Sequence, residues 1–187
     1  MKKVVLLTVL FSLSGLCIGQ DEYRTLEIGK KAPDFNLPGV DGQMHSLSGF
    51  NDHSILVVIF TCNHCPTAQS YEERIISLVN DYQGRGVGFV AISPNDPLAI
   101  RLNELAYTDV GDDLESMKIR AKAKGFNFPY LYDGENQNVS RAYGPVATPH
   151  VFIFDAESIV QYAGRIDDSE EGVTDETKHD TRNALDE

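Results

Sequence analysis

Two cysteines separated by two residues carry the clearest chemical signal in the chain. Cys62, Asn63, His64 and Cys65 stand in a row, after one apolar run and before an amphipathic one. A two-residue spacer keeps both sulfurs within bonding reach, so the pair can cycle between a dithiol and a disulfide. A purely structural disulfide would close too small a loop to add much stability. Half of a zinc or copper site is a further alternative, although the other histidines show no metal spacing.

The position of the pair predicts how the two thiols differ. A cysteine just past a strand and at the start of a helix meets unpaired amides and the positive end of the helix dipole, which favour a thiolate. We therefore expect Cys62 to be exposed and to attack. Cys65, one turn further on, is expected to be more buried and to resolve the mixed disulfide. His64, partly cationic near neutral pH, is expected to tune the thiolate, and Asn63 is a weaker candidate for the same role.

The surrounding residues predict the elements that position this pair. A continuous apolar, β-branched run is typical of a strand buried on both faces, and apolar residues three or four apart indicate one face of a helix. On these patterns we predict strands at 54–60, 87–92, 130–132, 151–154 and 159–162, and helices at 67–82, 98–106, 113–124 and 136–143. Alternating strands and helices predict an α/β fold whose central mixed sheet has helices on both faces. An N-terminal hairpin at 31–46 precedes it, with an Asp-Gly turn.

A second signal is the Thr148-Pro149 pair, which stands directly before the apolar strand predicted at 151–154. A proline can begin a strand without any special meaning. An X-Pro bond is cis only about one time in twenty. The residues alone therefore favour a trans bond at this position.

Taken in order, these motifs resemble the thioredoxin-like superfamily. The segments GKKAPDFNLPGVDG (29–42), FTCNHCPTAQSYEERI (60–75) and YGPVATPHVFIFD (143–155) are similar to its redoxin branch, which includes relatives of alkyl hydroperoxide reductase. The similarity runs from about Ile28 to Asp168, which is nearly the whole chain after its leader. It implies a thioredoxin-like fold.

The same resemblance implies roles for individual residues. Cys62 and Cys65 would form a redox-active disulfide. Pro149 would be cis and would lie beside them, with the Thr148 backbone turned toward Cys62. An extended substrate would then pair with the Thr148 main chain, as an added strand does.

The redoxin branch contains both disulfide exchangers and thiol peroxidases. Its peroxidases carry a Thr three residues before the reactive cysteine, and Cys62 stands there if Cys65 is that cysteine. Their distant Arg aligns near Pro149, although Arg141 and Arg165 could still approach the site. We therefore expect thiol–disulfide exchange, with peroxide reduction and a copper- or zinc-binding module as alternatives. No metal or organic cofactor is expected.

The chain departs from thioredoxin itself in one informative place. Thioredoxin has a buried Asp six residues before its first active cysteine, and Leu56 stands there in this chain. Glu72 or Glu73 are candidates to substitute, but both are expected to face solvent. Residues 94–112 are longer than a simple connector and are expected to be a surface elaboration, with a lid as the alternative.

Charge and the N-terminal leader bound the function further. The chain has 16 basic and 28 acidic residues and a net charge of −12, which argues against a nucleic-acid binder. Lys2 and Lys3 precede an apolar run, the pattern of a signal peptide over residues 1–19. The thioredoxin-like domain is expected at 20–168, and an acidic tail at 169–187 is expected to be a solvated surface segment.

These features set the expected location and partners. We expect an exported protein, periplasmic or extracellular, that is not stably inserted in a membrane once the leader is cleaved. Its expected partners are protein thiols and disulfides and a redox partner that the residues do not identify.

Overall fold

The computed structural model describes residues 24–99, 111–134 and 136–187. The signal peptide predicted at 1–19 and most of the helix predicted at 98–106 lie outside these residues. Strands and α-helices of the described part follow in the order β1 (Asn36–Pro38), β2 (Met44–Ser46), β3 (Ile55–Phe60), α1 (Pro66–Tyr82), β4 (Val87–Ser93), α2 (Leu114–Lys124), β5 (Tyr130–Tyr132), α3 (Asn138–Tyr143), β6 (His150–Phe154), β7 (Val160–Gly164) and α4 (Asp180–Asp186). Within the described ranges, no helix is long and apolar enough to cross a bilayer.

Five strands form the central sheet, in the order β5-β4-β3-β6-β7. Strands β3, β4 and β5 are parallel, whereas β6 is antiparallel to both β3 and β7. The predicted mixed sheet is confirmed. The predicted hairpin also forms, because β1 and β2 pair antiparallel and Gly42 takes the left-handed conformation, φ 81°, in the turn between them.

The core lies on both faces of the sheet. Val57 and Ile59 of β3 join a cluster with residues of α1, α2 and α4, while Val58 and Phe60 join a second cluster with α3 and the N-terminal segment. The alternation follows from the two-residue period of a strand. Each fully buried side chain of this size contributes about 1.5–3 kcal/mol relative to an exposed one. The predicted covering of both faces is therefore confirmed.

The N-terminal segment from Gly29 to Val40, which includes β1, reaches both edges of the sheet. At one edge, Gly29 donates to the carbonyl of Val160 at 2.8 Å and Val160 donates to the carbonyl of Lys30 at 2.8 Å. At the other edge, Val40 donates to the carbonyl of Tyr130 at 3.0 Å. Between these contacts the apolar side chains are buried in the second core cluster, namely Ala32, Phe35 and Leu37. This segment therefore crosses one face of the sheet from β7 to β5.

The expectation of a solvated C-terminal tail is wrong for residues 180–186. They form α4, and Leu185 is only 7% exposed within the first core cluster. The Thr181 hydroxyl is buried and donates to the carbonyl of Arg165 at 2.9 Å. One leucine and one threonine, four residues apart, give even this polar helix a face that packs on the protein.

Candidate active site

The two cysteines lie in the turn between β3 and α1. Cys62 comes two residues after the end of β3, and the amide of Thr61 between them still donates to the carbonyl of Ile92 at 3.0 Å. Cys65 is the N-cap of α1, and Pro66 takes the first helical position, where its missing amide proton is no loss. The helix start, with its unpaired amides, is therefore aimed at Cys65.

The structure reverses the predicted difference between the two thiols. Cys62 is only 3% exposed, whereas Cys65 is partly exposed. The expectation of an exposed Cys62 and a more buried Cys65 is therefore wrong. The reason is the helix boundary: with Pro66 as its first residue, the helix begins after the second cysteine, and the first one is left inside the turn beneath it.

The electrostatics of the pair follow this arrangement. The pKa of Cys65 is lowered to about 5, chiefly by a hydrogen bond from the Cys62 thiol and also by the amides of Ala68 and Thr67. The pKa of Cys62 is raised by the same hydrogen bond, by burial and by the charge of Asp112. Cys65 is thus the thiolate and Cys62 the thiol near neutral pH.

Thr148 lies against both sulfurs, and Pro149 follows it in the chain. The Thr148–Pro149 peptide bond is cis, as the resemblance implies and contrary to the frequency of X-Pro bonds. The Cys62 sulfur lies 3.4 Å from the Thr148 hydroxyl oxygen, and the Cys65 sulfur lies 3.9 Å from the Thr148 carbonyl oxygen. The adjoining groove is lined by Thr67, Thr148, Pro149, Arg165 and Glu170. The role of Thr148 in holding a substrate stays a prediction.

Asn63 fixes the turn between the cysteines. Its side chain is 1% exposed, donates to the carbonyl of Gly111 at 2.7 Å and accepts from the Tyr130 hydroxyl at 3.2 Å. Gln69 of α1 donates to its carbonyl at 2.7 Å. These contacts join the turn to three other parts of the chain, so Asn63 holds the thiols in place. Its predicted tuning of the thiolate is untested by this geometry.

His64 binds a carboxylate that the sequence did not reveal. Its Nδ1 donates to Asp112 Oδ2 at 2.5 Å, and the Asp112 side chain is fully buried. Asp112 stands just before α2 and next to Asp113, the residue that caps that helix. A pair of aspartates before a helix suggests capping alone, and only the first of these two points into the site. The one available signal was its place at the end of residues 94–112, the segment for which a lid was the alternative interpretation.

Asp112 accepts four hydrogen bonds, which use all of its lone pairs. Oδ1 accepts from the amides of Asn63 at 2.8 Å and His64 at 3.1 Å. Oδ2 accepts from His64 Nδ1 and, at 2.7 Å, from the side-chain amide of Asn95. Cys62, His64 and Asp112 each offer one possible metal-ligand atom, and these three atoms lie within 4.8 Å of one another, so the set could bind a soft cation. Because a cation would have to displace these hydrogen bonds, the geometry favours an acid–base group.

Glu72 does not replace the missing aspartate, and the expectation that it faces solvent is wrong. It is 5% exposed on the inner side of α1. Arg120 of α2 donates to it from Nε at 2.5 Å and from a terminal nitrogen at 3.0 Å, and Lys124 lies 3.6 Å away. The carboxylate is thus committed to an ion pair between two helices. Glu73 carries no such contact in the described part of the chain and is exposed.

Fold and site together define a thioredoxin-like oxidoreductase with a dithiol centre. Residues 28–163 match the AhpC/TSA family, and the chain belongs to this family. It is 25% identical, over 165 residues, to the thiol-disulfide oxidoreductase ResA of Geobacillus thermodenitrificans, covering 86% of this chain and 83% of that protein.

Solved structures show the same likeness. A hypothetical protein, SMc02350 from Sinorhizobium meliloti, is 35% identical with a TM-score of 0.75, over 87% of this chain and 84% of its own. An uncharacterised conserved protein from Geobacillus kaustophilus is 38% identical with a TM-score of 0.74, over 86% of this chain and 80% of its own. The thioredoxin domain of a thiol-disulfide oxidoreductase from Bacteroides vulgatus, 16% identical, shares the fold with a TM-score of 0.62, over 86% and 99% of the two chains.

Proposed function

We propose that the protein exchanges disulfides with protein substrates through Cys65 and Cys62. One observation carries the proposal: a partly exposed sulfur at a helix start receives a hydrogen bond from a buried second thiol, and both lie against Thr148 beside a cis proline. The likeness to ResA, named a thiol-disulfide oxidoreductase, supports the same reaction class.

The proposed cycle begins with Cys65, not with Cys62. The Cys65 thiolate bonds to one sulfur of a substrate disulfide, whose S–S bond breaks and releases the first substrate thiol. Cys62 then bonds to the Cys65 sulfur, and the mixed disulfide breaks to release the second thiol. The dithiol of the enzyme is oxidised and the substrate disulfide is reduced. Run backwards, the same steps oxidise a dithiol substrate, and the redox partner decides the direction.

Single-cysteine variants test the cycle and the assignment together. Reduced protein is incubated with a protein disulfide, and thiol release and covalent adducts are followed by mass spectrometry. Cys62→Ser should accumulate a mixed disulfide on residue 65, because the resolving sulfur is gone. Cys65→Ser should form no adduct at neutral pH. A mixed disulfide on residue 62 in Cys65→Ser, with none on residue 65 in Cys62→Ser, would reverse the assignment.

Peroxide reduction is the second candidate, because Cys65 is the sulfur that a peroxidase of this branch would need. The described hydrogen-bond partners of the two sulfurs are each other, Thr148 and the amides that start α1. Arg165 lines the adjoining groove but pairs with Asp180 at 2.6 Å. Equal rates with hydrogen peroxide and with a small disulfide would favour this candidate. A peroxide rate typical of an ordinary thiolate would exclude it.

We further propose that the protein acts after export, in the periplasm or outside the cell. The basic residues and apolar run at the N-terminus support cleavage after Gly19, which would leave Cys62 and Cys65 as the only cysteines of the mature chain. Fractionation of the producing cell, with mass measurement of the mature protein, tests this. A full-length protein in the cytoplasm would refute it.

A further inference from the structure

The loop that carries Thr148 has few contacts that hold its own backbone. Pro145 and Pro149 bound it, and neither proline has an amide hydrogen to donate. Between them, the side chains of Val146 and Ala147 are exposed, so packing does not fix this part of the chain. Among the hydrogen bonds between described residues, none is donated by the amides of Ala147 or Thr148. The placement of Thr148 beside the two sulfurs therefore depends on the one remaining amide, that of Val146.

His150 receives the hydrogen bond of this amide. The Val146 amide donates to Nδ1 of His150 at 3.3 Å, and the bond closes the loop over four positions of the chain. The histidine begins β6, where it pairs with Phe60 of β3, and its ring stacks on Phe152 with centroids 4.8 Å apart. It is only 6% exposed. One ring nitrogen thus ties the loop to two central strands of the sheet.

Only a neutral imidazole can make this bond. Because Nδ1 of His150 accepts, the ring proton lies on Nε2, which is buried and has no partner among the described residues. Protonation would place a second N–H opposite the Val146 amide, so two donors would face each other. The loop would then lose its hydrogen bond to β6.

The charged groups around His150 do not offset its burial. Burial alone lowers the pKa of His150 from its ordinary value of 6.5. The titratable neighbours are Tyr143 of α3, whose pKa is raised by burial, and the exposed side chains of Arg24 and Arg141. Neither these groups nor the Cys65 thiolate contributes to the shift. The ring is therefore neutral near pH 7 and gains its proton only in acid.

We propose that His150 is a positioning residue for substrate recognition: its neutral ring holds Thr148 against Cys65 and leaves the amides of Ala147 and Thr148 free to pair with an extended substrate. This inference rests on the proposed exchange function and deepens it, because it assigns recognition of the substrate's peptide chain, beyond its disulfide bond, to this loop. His150 acts through the Val146 amide and not on the reacting sulfurs.

The test compares two substrates of different reach. A small aromatic disulfide needs only the Cys65 thiolate, whereas a disulfide between two extended peptides also pairs with the loop. In His150→Phe, which keeps a stacked ring without an acceptor, KM for the peptide disulfide should rise about tenfold, with kcat and the small-disulfide rate changed less than about twofold. His150→Asn keeps an acceptor and should return KM to within about threefold of the unmodified value.

The pH dependence adds a readout that a purely structural residue would not move. The ratio of the peptide rate to the small-disulfide rate at one pH cancels the ionisation of Cys65, which both reactions need. In the unmodified protein this ratio should fall as the pH is lowered below 6.5, because the protonated His150 ring releases the Val146 amide. In His150→Asn the ratio should stay constant, since an amide side chain does not titrate. A fall of the same size in both proteins would overturn the inference.

Stability and a matched control complete the design. His150→Phe removes a buried N–H that has no partner, so urea unfolding should find it at least as stable as the unmodified protein. His53→Phe is the control, because His53 precedes β3 at the end opposite to the cysteines, and it should leave KM unchanged. An unchanged KM in His150→Phe, or an equal loss with both disulfides, would overturn the inference. Should His150→Phe fold poorly, which circular dichroism reports, the pH ratio in His150→Asn still decides. Failure of the unmodified protein to react with either disulfide would instead refute the exchange function itself.

Discussion

The reactivity of Cys65 should persist at a pH where ordinary thiols are inert. Its pKa is lowered to about 5, chiefly by the hydrogen bond from Cys62. At pH 5.5 about three quarters of such a thiol is ionised, against about 0.1% of an ordinary cysteine with a pKa near 8.5. The fraction present as thiolate is therefore about 760-fold larger in the protein than in a free cysteine at this pH.

A thiolate of lower basicity is also a weaker nucleophile, and this effect works against the first. With a Brønsted coefficient of about 0.45, a pKa lower by about 3.5 units reduces the intrinsic rate about 40-fold. At pH 5.5 Cys65 should thus react about 20-fold faster than free cysteine. At pH 7 its advantage in thiolate is only about 30-fold, and the two effects nearly cancel. The pH profile, and not the rate at neutral pH, therefore reveals the environment of the sulfur.

The assay mixes the reduced protein with excess aromatic disulfide and follows chromophore release between about pH 3.5 and 9. The rate should rise with pH, with its midpoint near the pKa of Cys65, about 5. Cys62→Ala removes the principal donor and should move the midpoint upward, whereas Cys62→Ser keeps a hydroxyl donor and should move it less. A midpoint at about pH 8.5 in the unmodified protein would refute the electrostatic reasoning. The same midpoint in the unmodified protein, in Cys62→Ala and in Cys62→Ser would also refute it.

Three further measurements test other parts of the structure. The reduction potential should change by about 30 mV per pH unit above about pH 5, where the reduced site holds one proton, and by about 59 mV per pH unit below about pH 5, where it holds two. A redox titration at several pH values that gives one uniform slope would contradict this. Arg120→Ala should destabilise the protein by about 3 kcal/mol in urea unfolding, since it leaves the buried Glu72 carboxylate with the more distant Lys124 at 3.6 Å in place of two direct hydrogen bonds. Lys118→Ala, in an exposed pair, should cost less than about 0.5 kcal/mol. Leu185→Ala should cost about 2–3 kcal/mol and exposed Asn183→Ala almost nothing; equal stabilities would mean that α4 does not pack on the core.

Much of the fold was accessible from the sequence, because its strongest patterns are local. The apolar runs predicted as strands at 54–60 and 87–92 form β3 and β4, and the helix predicted at 67–82 forms α1. The proximity of Cys62 to Thr148 was accessible only through resemblance, since 86 residues separate them and a cis bond is uncommon a priori.

What the sequence did not reveal depends on contacts between distant residues. The ion pair of Glu72 requires Arg120, which lies 48 positions away, and the bond of His64 requires Asp112, also 48 positions away. The inverted burial of the two thiols is a different kind of error. Pro66 is a strong marker of the first helical position, and Cys65 before it caps the helix instead of lying one turn inside it.

The N-terminal segment that touches β7 at one side and β5 at the other has a consequence for the solution behaviour of the molecule. The edge strands of a sheet offer unpaired backbone groups to which a second chain can hydrogen-bond. In this protein a single continuous segment covers part of both edge strands, β7 and β5. A protease cut or a slip within residues 29–40 would uncover the two edges together. Keeping residues 29–40 intact during folding and storage therefore protects both edges of the sheet from aggregation.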